Sequence, residues 1–273
     1  MAIIAISRQM GSGGYTIAAA VAKAMNYEYV DREIIMRAAK DYEVPEAELE
    51  QVAQRRLTLW EHFDEGKLRT LAFLHAAYYA IAERDNVVTA GRGIASLVQG
   101  VSHALRVRII APFEVRVQRT MHKEHLNHAH AVSRVRAYDR EVAARIAYLF
   151  GPEWDIPENY DLVLNSVRDD PQLYADLVVA VARHPSFQTT PESLQHVRDL
   201  SLAARVHAAI VKHPETRHLF FEATADNGHV SLKGVVRQPG VREEIAKVAS
   251  AVPGVVSVTC EQITTAFYPG PAV

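Results

Sequence analysis

The stretch AIIAISRQMGSGGYT, residues 2–16, decides the fold. Its first five residues, Ala2 to Ile6, form a continuous apolar run. A short run without polar alternation fits a strand covered on both faces, as in a parallel sheet. Ser7 to Met10 then lead into Gly11-Ser12-Gly13-Gly14. From Thr16 the chain reads TIAAAVAKAM, an Ala-rich segment that favours helix. Strand, glycine-rich loop and helix together are a device for binding phosphate. Successive backbone N–H groups point inward, and the helix N-terminus adds partial positive charge. Glycines let the backbone approach the anion closely. The hydroxyl of Thr16, one turn into the helix, is placed to bind Mg²⁺ or a phosphate oxygen.

The loop departs from the full phosphate-loop pattern, which ends G-K-[ST]. Gly14 stands where the lysine should be, and Tyr15 follows it. Arg8, on the other side of the loop, is a candidate for the missing charge. A glycine-rich turn without a ligand and a dinucleotide site remain as alternatives. For the dinucleotide site speaks Asp31, 18 residues past Gly13, near where an acidic ribose contact would lie. Against it stand the four residues between the strand and the first glycine, and Thr16 at the third glycine position.

Outward from this stretch, Tyr27 to Val30 reads as a second strand ending at Asp31. Residues 31–85 are mainly helical by pattern. Asn86 to Ala90 is a further buried strand, followed by Gly91-Arg92-Gly93. Leu105 to Ala111 and Tyr160 to Asn165 are strands, with a charged helical region over 112–150 between them and a helix over 171–183 after them. Strands alternating with helices predict an α/β fold: a parallel sheet flanked by helices, with a helical lid. The segment HPSFQTTPES has two prolines and several small polar residues, as a linker would. Beyond it, a helix over 193–212, strands over 218–225 and 229–236, a helix over 239–251 and a strand over 255–261 predict a small α+β module of order αββαβ. The expected division is a first domain at 1–184, a linker at 185–192, the module at 193–263 and a tail at 264–273.

The 273 residues suffice for two such domains. A hydrophobic fraction of 49% and a charged fraction of 23% suit a globular chain with a real core. The net charge of -2 supplies no global field for nucleic acid or a membrane surface, so neither is expected as a partner. Cys260 is the lone cysteine, which excludes an internal disulfide framework. No export signal and no membrane-spanning apolar run is legible, and a reducing, cytoplasmic setting is expected.

In a parallel sheet, ligands sit beyond the carboxyl ends of the strands. The loop 8–16, Asp31-Arg32 and Gly91-Arg92-Gly93 all fall there. Arg92, between two glycines, can present its guanidinium to phosphate as a bidentate fork. The charged helical region holds Arg116, Arg119, Arg134, Arg136, Arg140 and Arg145. Arg116 and Arg119 are three apart, and Arg136 and Arg140 four apart, so each pair shares a helix face. Such a basic flap would neutralise a triphosphate. Glu114, Glu124, Asp139 and Glu141 alternate with these arginines, and a solvated helix face fits them equally well. Phosphoryl transfer needs positioning and charge stabilisation rather than a nucleophilic triad.

With those residues in view, residues 1–183 resemble the cytidylate kinase-like family of P-loop proteins. The carrying stretches are AISRQMGSGGYTIAAAVA, YEYVDREII, VVTAGRGIA, LRVRIIAPFEVRVQRTM and PENYDLVLNS, in the family's order. The resemblance implies a nucleoside-monophosphate kinase fold, with ATP and Mg²⁺ as donor and a pyrimidine monophosphate such as CMP as acceptor. It implies that Gly11, Ser12, Gly13, Gly14 and Thr16 hold the donor phosphates, with Thr16 towards the metal; Arg8 and Tyr15, beside them in this chain, are further candidates for that side. It places Asp31, Arg32, Gly91, Arg92 and Gly93 towards the acceptor, and Arg116, Arg119, Asp139 and Arg140 in the lid, with Arg92, Arg116, Arg119 and Arg140 as transfer-site cations. The chain departs from the family at Gly14, at Tyr15 and at Val142, where an arginine is expected, with Arg140 or Arg145 as substitutes. Residues 193–263 resemble a BON domain through GHVSLKGVVRQPGVREEIAKVASAVPGVVSVTCEQI. That resemblance implies a role in partner binding, ligand sensing or self-association.

Three functions therefore stand open: a nucleoside-monophosphate kinase, a nucleotide-binding sensor that signals through its BON-like module, and a dinucleotide-dependent enzyme. His122, His125, His128 and His130 are spaced for a metal pair on a helix, but equally for a solvated lid. Trp60, Trp154, Tyr78 and Tyr79 read first as packing residues, and Cys260 as a small buried side chain.

Overall fold

The computed structural model describes residues 2–31, 33–46, 65–91, 94–150, 155–216, 221–236 and 240–265. By compactness the chain forms two units. The first holds β1 (Ile3–Arg8), α1 (Gly14–Met25), β2 (Glu28–Val30), β3 (Val87–Gly91), α4 (Ile94–Leu97), β4 (Ala104–Ile110), α5 (Phe113–Glu124), α6 (His128–Phe150), β5 (Leu162–Asn165) and α7 (Pro171–Ala182). The second holds α2 (Glu33–Tyr42) from Ile34, α3 (Glu65–Ala82), α8 (Pro191–Lys212) from Leu194, β6 (Phe221–Asp226), β7 (His229–Val236), α9 (Val241–Ser250) and β8 (Ser257–Thr265).

In the first unit five strands lie in the order β2-β3-β1-β4-β5, and every pairing is parallel. β1 is central and all six of its residues are buried. The apolar run at 2–6 reflects that position, because a central strand with helices on both faces has no wet side. Ile4, Ile6, Val88, Leu105, Val107 and Ile109 from the strands pack against Ile17, Val21 and Ala22 of α1 and Tyr174, Val178 and Val179 of α7. α7 begins cleanly, with Pro171 in its first turn and the Asp170 carboxylate accepting from Leu173 N at 3.1 Å. The strand order has a consequence for function. The chain leaves β1 to build β3 on one side and β4 on the other. The loop after β1 therefore sits at the topological switch point, where parallel sheets open a crevice.

The second unit is built on a three-stranded sheet, β6-β7-β8, with β6 and β7 antiparallel and β7 and β8 parallel. Asn227 and Gly228 turn the hairpin with φ of 48° and 87°, the pair of positive values that a tight two-residue hairpin needs. Leu202, Val206 and Ile210 of α8 pack with Val230, Leu232, Ile245, Ala249 and the buried Cys260. The expected order αββαβ is present as α8, β6, β7, α9 and β8. The stretch expected as a linker contains a short 3-10 turn at Pro185–Phe187 and the first residues of α8.

A second cluster in this unit joins elements distant in sequence. Ala38 of α2, and Ala72, Phe73, Ala76 and Ala77 of α3, pack with Ala208 and Val211 of α8. Small residues at these positions let helix backbones come close. Tyr42 stacks on Phe73 with ring centroids 4.4 Å apart, and Tyr78, as expected, is fully buried. Trp60 and Trp154 lie outside the described residues. Among the described residues no helix is long and apolar enough to cross a membrane.

Burial, with His207 nearby, holds the His75 imidazole of α3 down to about 4 from its ordinary 6.5. The unfolded chain then binds the proton that the folded one refuses. Stability from this group is present above pH 6.5 and is lost as pH falls towards 4. The loss should be about 2 kcal/mol between pH 7.5 and pH 5. Hydrogen–deuterium exchange of α3 and α8 amides at the two pH values measures it, and His75→Leu should flatten the dependence.

Candidate functional site

The turn from β1 into α1 is held from below by the sheet. Gln9 N donates to Ile109 O at 3.0 Å, and the Gln9 side-chain Oε1 accepts from Ala111 N at 3.1 Å. Gly11 and Gly13 have φ of 75° and 77°. A Cβ at Gly11 would lie 2.6 Å from the Arg116 carbonyl oxygen, so the turn is pressed against α5 where only glycine fits. The first helical hydrogen bond runs from Ile17 N to Gly13 O. The amides of Gly14, Tyr15 and Thr16 precede the ladder and have no intrahelical acceptor. No acidic side chain occupies the first turn and no side chain caps it. This is a helix N-terminus left open for an anion.

The carbonyls of Gln9, Met10 and Ser12, by contrast, are taken. Gln9 O accepts from Ser12 N at 3.3 Å and from Ser12 Oγ at 2.8 Å. Met10 O accepts from Arg116 Nη1 at 3.4 Å. The Ser166 hydroxyl, just past β5, lies 2.6 Å from Ser12 O and 3.1 Å from Ile110 O, and itself accepts from Arg119 Nη1 at 3.4 Å. Ser12 and Ser166 are both buried.

Above the turn lies a cavity of about 440 Å³. Every expected donor-side residue lines it: Arg8, Gly11, Ser12, Gly13, Gly14, Tyr15 and Thr16. The volume suits a small ligand. Arg119 lines it from α5 and is steadied by Arg168 O at 2.9 Å and by Asp169 at 3.8 Å. Arg134 of α6 also lines it and pairs with Glu124 at 3.3 Å. Lys123, Tyr138, Arg168 and Tyr174 also line it, as do the carboxylates Glu124 and Asp169. Sequence reading did not single out Lys123, Ser166, Arg168 or Tyr174. Their one signal is position, since Ser166 and Arg168 follow the carboxyl end of β5.

Other expected residues lie elsewhere. Arg116 is buried, and both Asp139 carboxylate oxygens lie 2.9 Å from its Nη1. That pair ties α5 to α6 and, through Met10, to the loop; Arg116 is not on the cavity wall. Arg140 is exposed on α6 and, like Asp31 and Gly91, is absent from that wall. Arg32, Arg92 and Gly93 lie outside the described residues. His128 of the histidine cluster faces Glu114 at 3.5 Å, and among the described residues no three metal-ligating side chains converge. Tyr29 of β2 has its phenol pushed up to about 12 by burial, then by Asp31 and Tyr15, with Arg8 acting in the opposite direction.

A parallel sheet of this order, with an open helix N-terminus and arginines at its switch point, has the architecture of a P-loop nucleotide kinase. Residues 3–168 match the cytidylate kinase-like family, and the chain belongs to that family. Residues 198–265 match the BON domain. A cytidylate kinase from Haloarcula marismortui is 30% identical over 171 residues, covering 62% of this chain and 83% of that protein. One from Halobacterium salinarum is 26% identical over 178 residues, covering 65% and 87%. A solved structure of an uncharacterized protein from Eubacterium ventriosum shares the fold, with a TM-score of 0.52 at 18% identity, covering 66% of this chain and 97% of that one.

Ser166→Ala would leave the buried Ser12 carbonyl without its hydroxyl donor. A thermal unfolding measurement should show a loss of about 1–3 kcal/mol. The same variant should bind tripolyphosphate more weakly, because the turn loses its anchor.

Proposed function

We propose that this protein is a nucleoside-monophosphate kinase that transfers the terminal phosphoryl group of ATP to CMP, dCMP or a related monophosphate. The observation that carries the reading is the open amide turn at residues 13–16, facing a cavity lined by Arg8, Arg119, Arg134 and Arg168. The residues fit a triphosphate. Amides without acceptors, glycines with no room for a side chain and several guanidiniums form a cradle for a chain of phosphates. Gly11 to Thr16 would hold the donor phosphates, and the Thr16 hydroxyl would face Mg²⁺. The metal, when bound, neutralises charge on the phosphates as the transfer proceeds. Arg119 would stabilise the charge of the transferring group. Arg116, locked to Asp139, would act by positioning α5 against the loop.

Asp31, Arg32 and Arg92 would lie towards the acceptor. A monophosphate is already mostly ionised at neutral pH and attacks without a strong base. The protein would work in the cytoplasm, where its lone cysteine, Cys260, meets no oxidising pressure. Residues 1–184 would carry the chemistry, and the module at 193–263 would bind a protein partner or a second copy.

The second reading is a nucleotide sensor with impaired transfer. It is favoured by Gly14 and Tyr15 standing where a P-loop carries lysine and serine or threonine. Loss of one preorganised charge lowers such rates on the order of 100- to 1,000-fold.

Coupled assays with CMP, dCMP and UMP in the presence of magnesium separate the two. Turnover with a pyrimidine monophosphate is the expected result. ATP binding without turnover on any monophosphate would make the protein a sensor. Arg92→Ala should weaken monophosphate binding much more than ATP binding, as read by calorimetric titration.

A further inference from the structure

The pattern G-x-x-x-x-G-K-[ST], laid on residues 8–15, meets three departures, at Arg8, Gly14 and Tyr15, and the first two complement each other. Arginine stands at its first glycine, and glycine stands at its lysine. The structure shows why they go together. A Cβ at Gly14 would lie 2.7 Å from Arg8 Cβ, 2.9 Å from Cδ and 3.3 Å from Cγ. The aliphatic stem of Arg8 fills the space in which a side chain at position 14 would begin. The loop has room for one long cationic side chain here, and it comes from β1 rather than from α1.

The state of the Arg8 head group points the same way. Arg8 is 6% exposed and lines the cavity. Its guanidinium carbon lies 3.3 Å from the centroid of the Tyr15 ring. Among the described residues no carboxylate pairs with it, and its Nε has no hydrogen-bond partner. Three neighbouring arginines already have a carboxylate beside them: Asp139 holds Arg116 tightly, while Asp169 and Glu124 face Arg119 and Arg134 more loosely. A buried cation without a counter-charge is costly, and an anion in the cavity would remove that cost. The ring of Tyr15 explains how the guanidinium is held meanwhile, since an aromatic face attracts a cation without taking its hydrogen-bond donors.

We propose that Arg8 is the working cation of this phosphate loop, binding the terminal phosphates of a nucleoside triphosphate from the position opposite the usual lysine, with Tyr15 as its platform. The assignment rests on the nucleotide-binding reading above and adds the residue that completes it. Guanidinium is the stronger choice for this geometry, because its fork can hold two phosphate oxygens at once.

The test is calorimetric titration of the full chain with magnesium–ATP and with tripolyphosphate. Arg8→Ala should weaken both by a similar factor, on the order of 10- to 100-fold, because the lost contact is to phosphate alone. Arg8→Gln keeps the stem and its packing and should show the same loss even if the alanine variant folds poorly. Gly14→Lys alone should lose affinity, since its side chain collides with the Arg8 stem. The double variant Arg8→Gly/Gly14→Lys should recover most of it, which a merely structural arginine would not allow. Wild-type affinity in folded Arg8→Gln, or a folded double variant no better than Arg8→Ala, would overturn the assignment while leaving nucleotide binding intact. A wild-type chain that binds neither ligand would overturn both.

Discussion

A turn can offer its amides to an anion only when other groups hold its carbonyls. In this protein Gln9 O, Met10 O, Ser12 O and Gly13 O are all engaged, by Ser12, Arg116, Ser166 and Ile17. The amides that follow have no partner in the helix. The donors come from four separate places: the loop itself, α1, α5 and the residue just past β5. Remove them and the carbonyls must find other donors, which means a different turn. Around this polar lock the apolar strands serve as a frame. They bring residues 12, 116 and 166 within reach of one another, and they keep β1 buried up to Arg8.

The charges around the cavity divide into two kinds. The buried Arg116 is committed to the half-buried Asp139, and its task is mechanical. Burying such a pair brings little net stability, but it fixes one arrangement of two helices on the loop. Arg119 and Arg134 are held more loosely, by partners with considerable exposure, and remain available to a ligand. Arg108 shows a third use: buried beneath the site, it donates to Ser7 and pairs with Asp155, so that β4 and β1 are joined through side chains as well as through the ladder.

The second unit draws its material from parts of the sequence more than a hundred residues apart. Phe221 at the start of β6 packs in the sheet's own core and also in the cluster with α2 and α3, and His207 meets its ring edge-on at 4.7 Å. Residues that enter the chain between β2 and β3 thus share a core with the BON-like module. The alanines of α3 make sense only in that light. As a helix surface they offer little apolar area, but against α8 they permit close approach and full burial.

The amino-acid sequence by itself determined the fold class, the order of elements and the glycine-rich turn between β1 and α1. These depend on local chemistry: an uninterrupted apolar run cannot be a wet strand, and Gly11 and Gly13 can take positive φ without penalty. It also placed most strand and helix bounds within a few residues, because alternation and breakers act over a few neighbours. Tertiary structure alone decided which charges face the cavity. Arg116 and Arg119 read as equals, three apart on one helix, yet one turns to Asp139 and the other to the cavity wall. Ser166, Arg168 and Tyr174 enter the site only because β5 lies next to β4, a pairing between strands more than fifty residues apart. The path of Arg8 across Gly14 is of the same kind. A hydrogen bond or ion pair depends on distance in space to a fraction of an ångström, and no local pattern of residues carries that information.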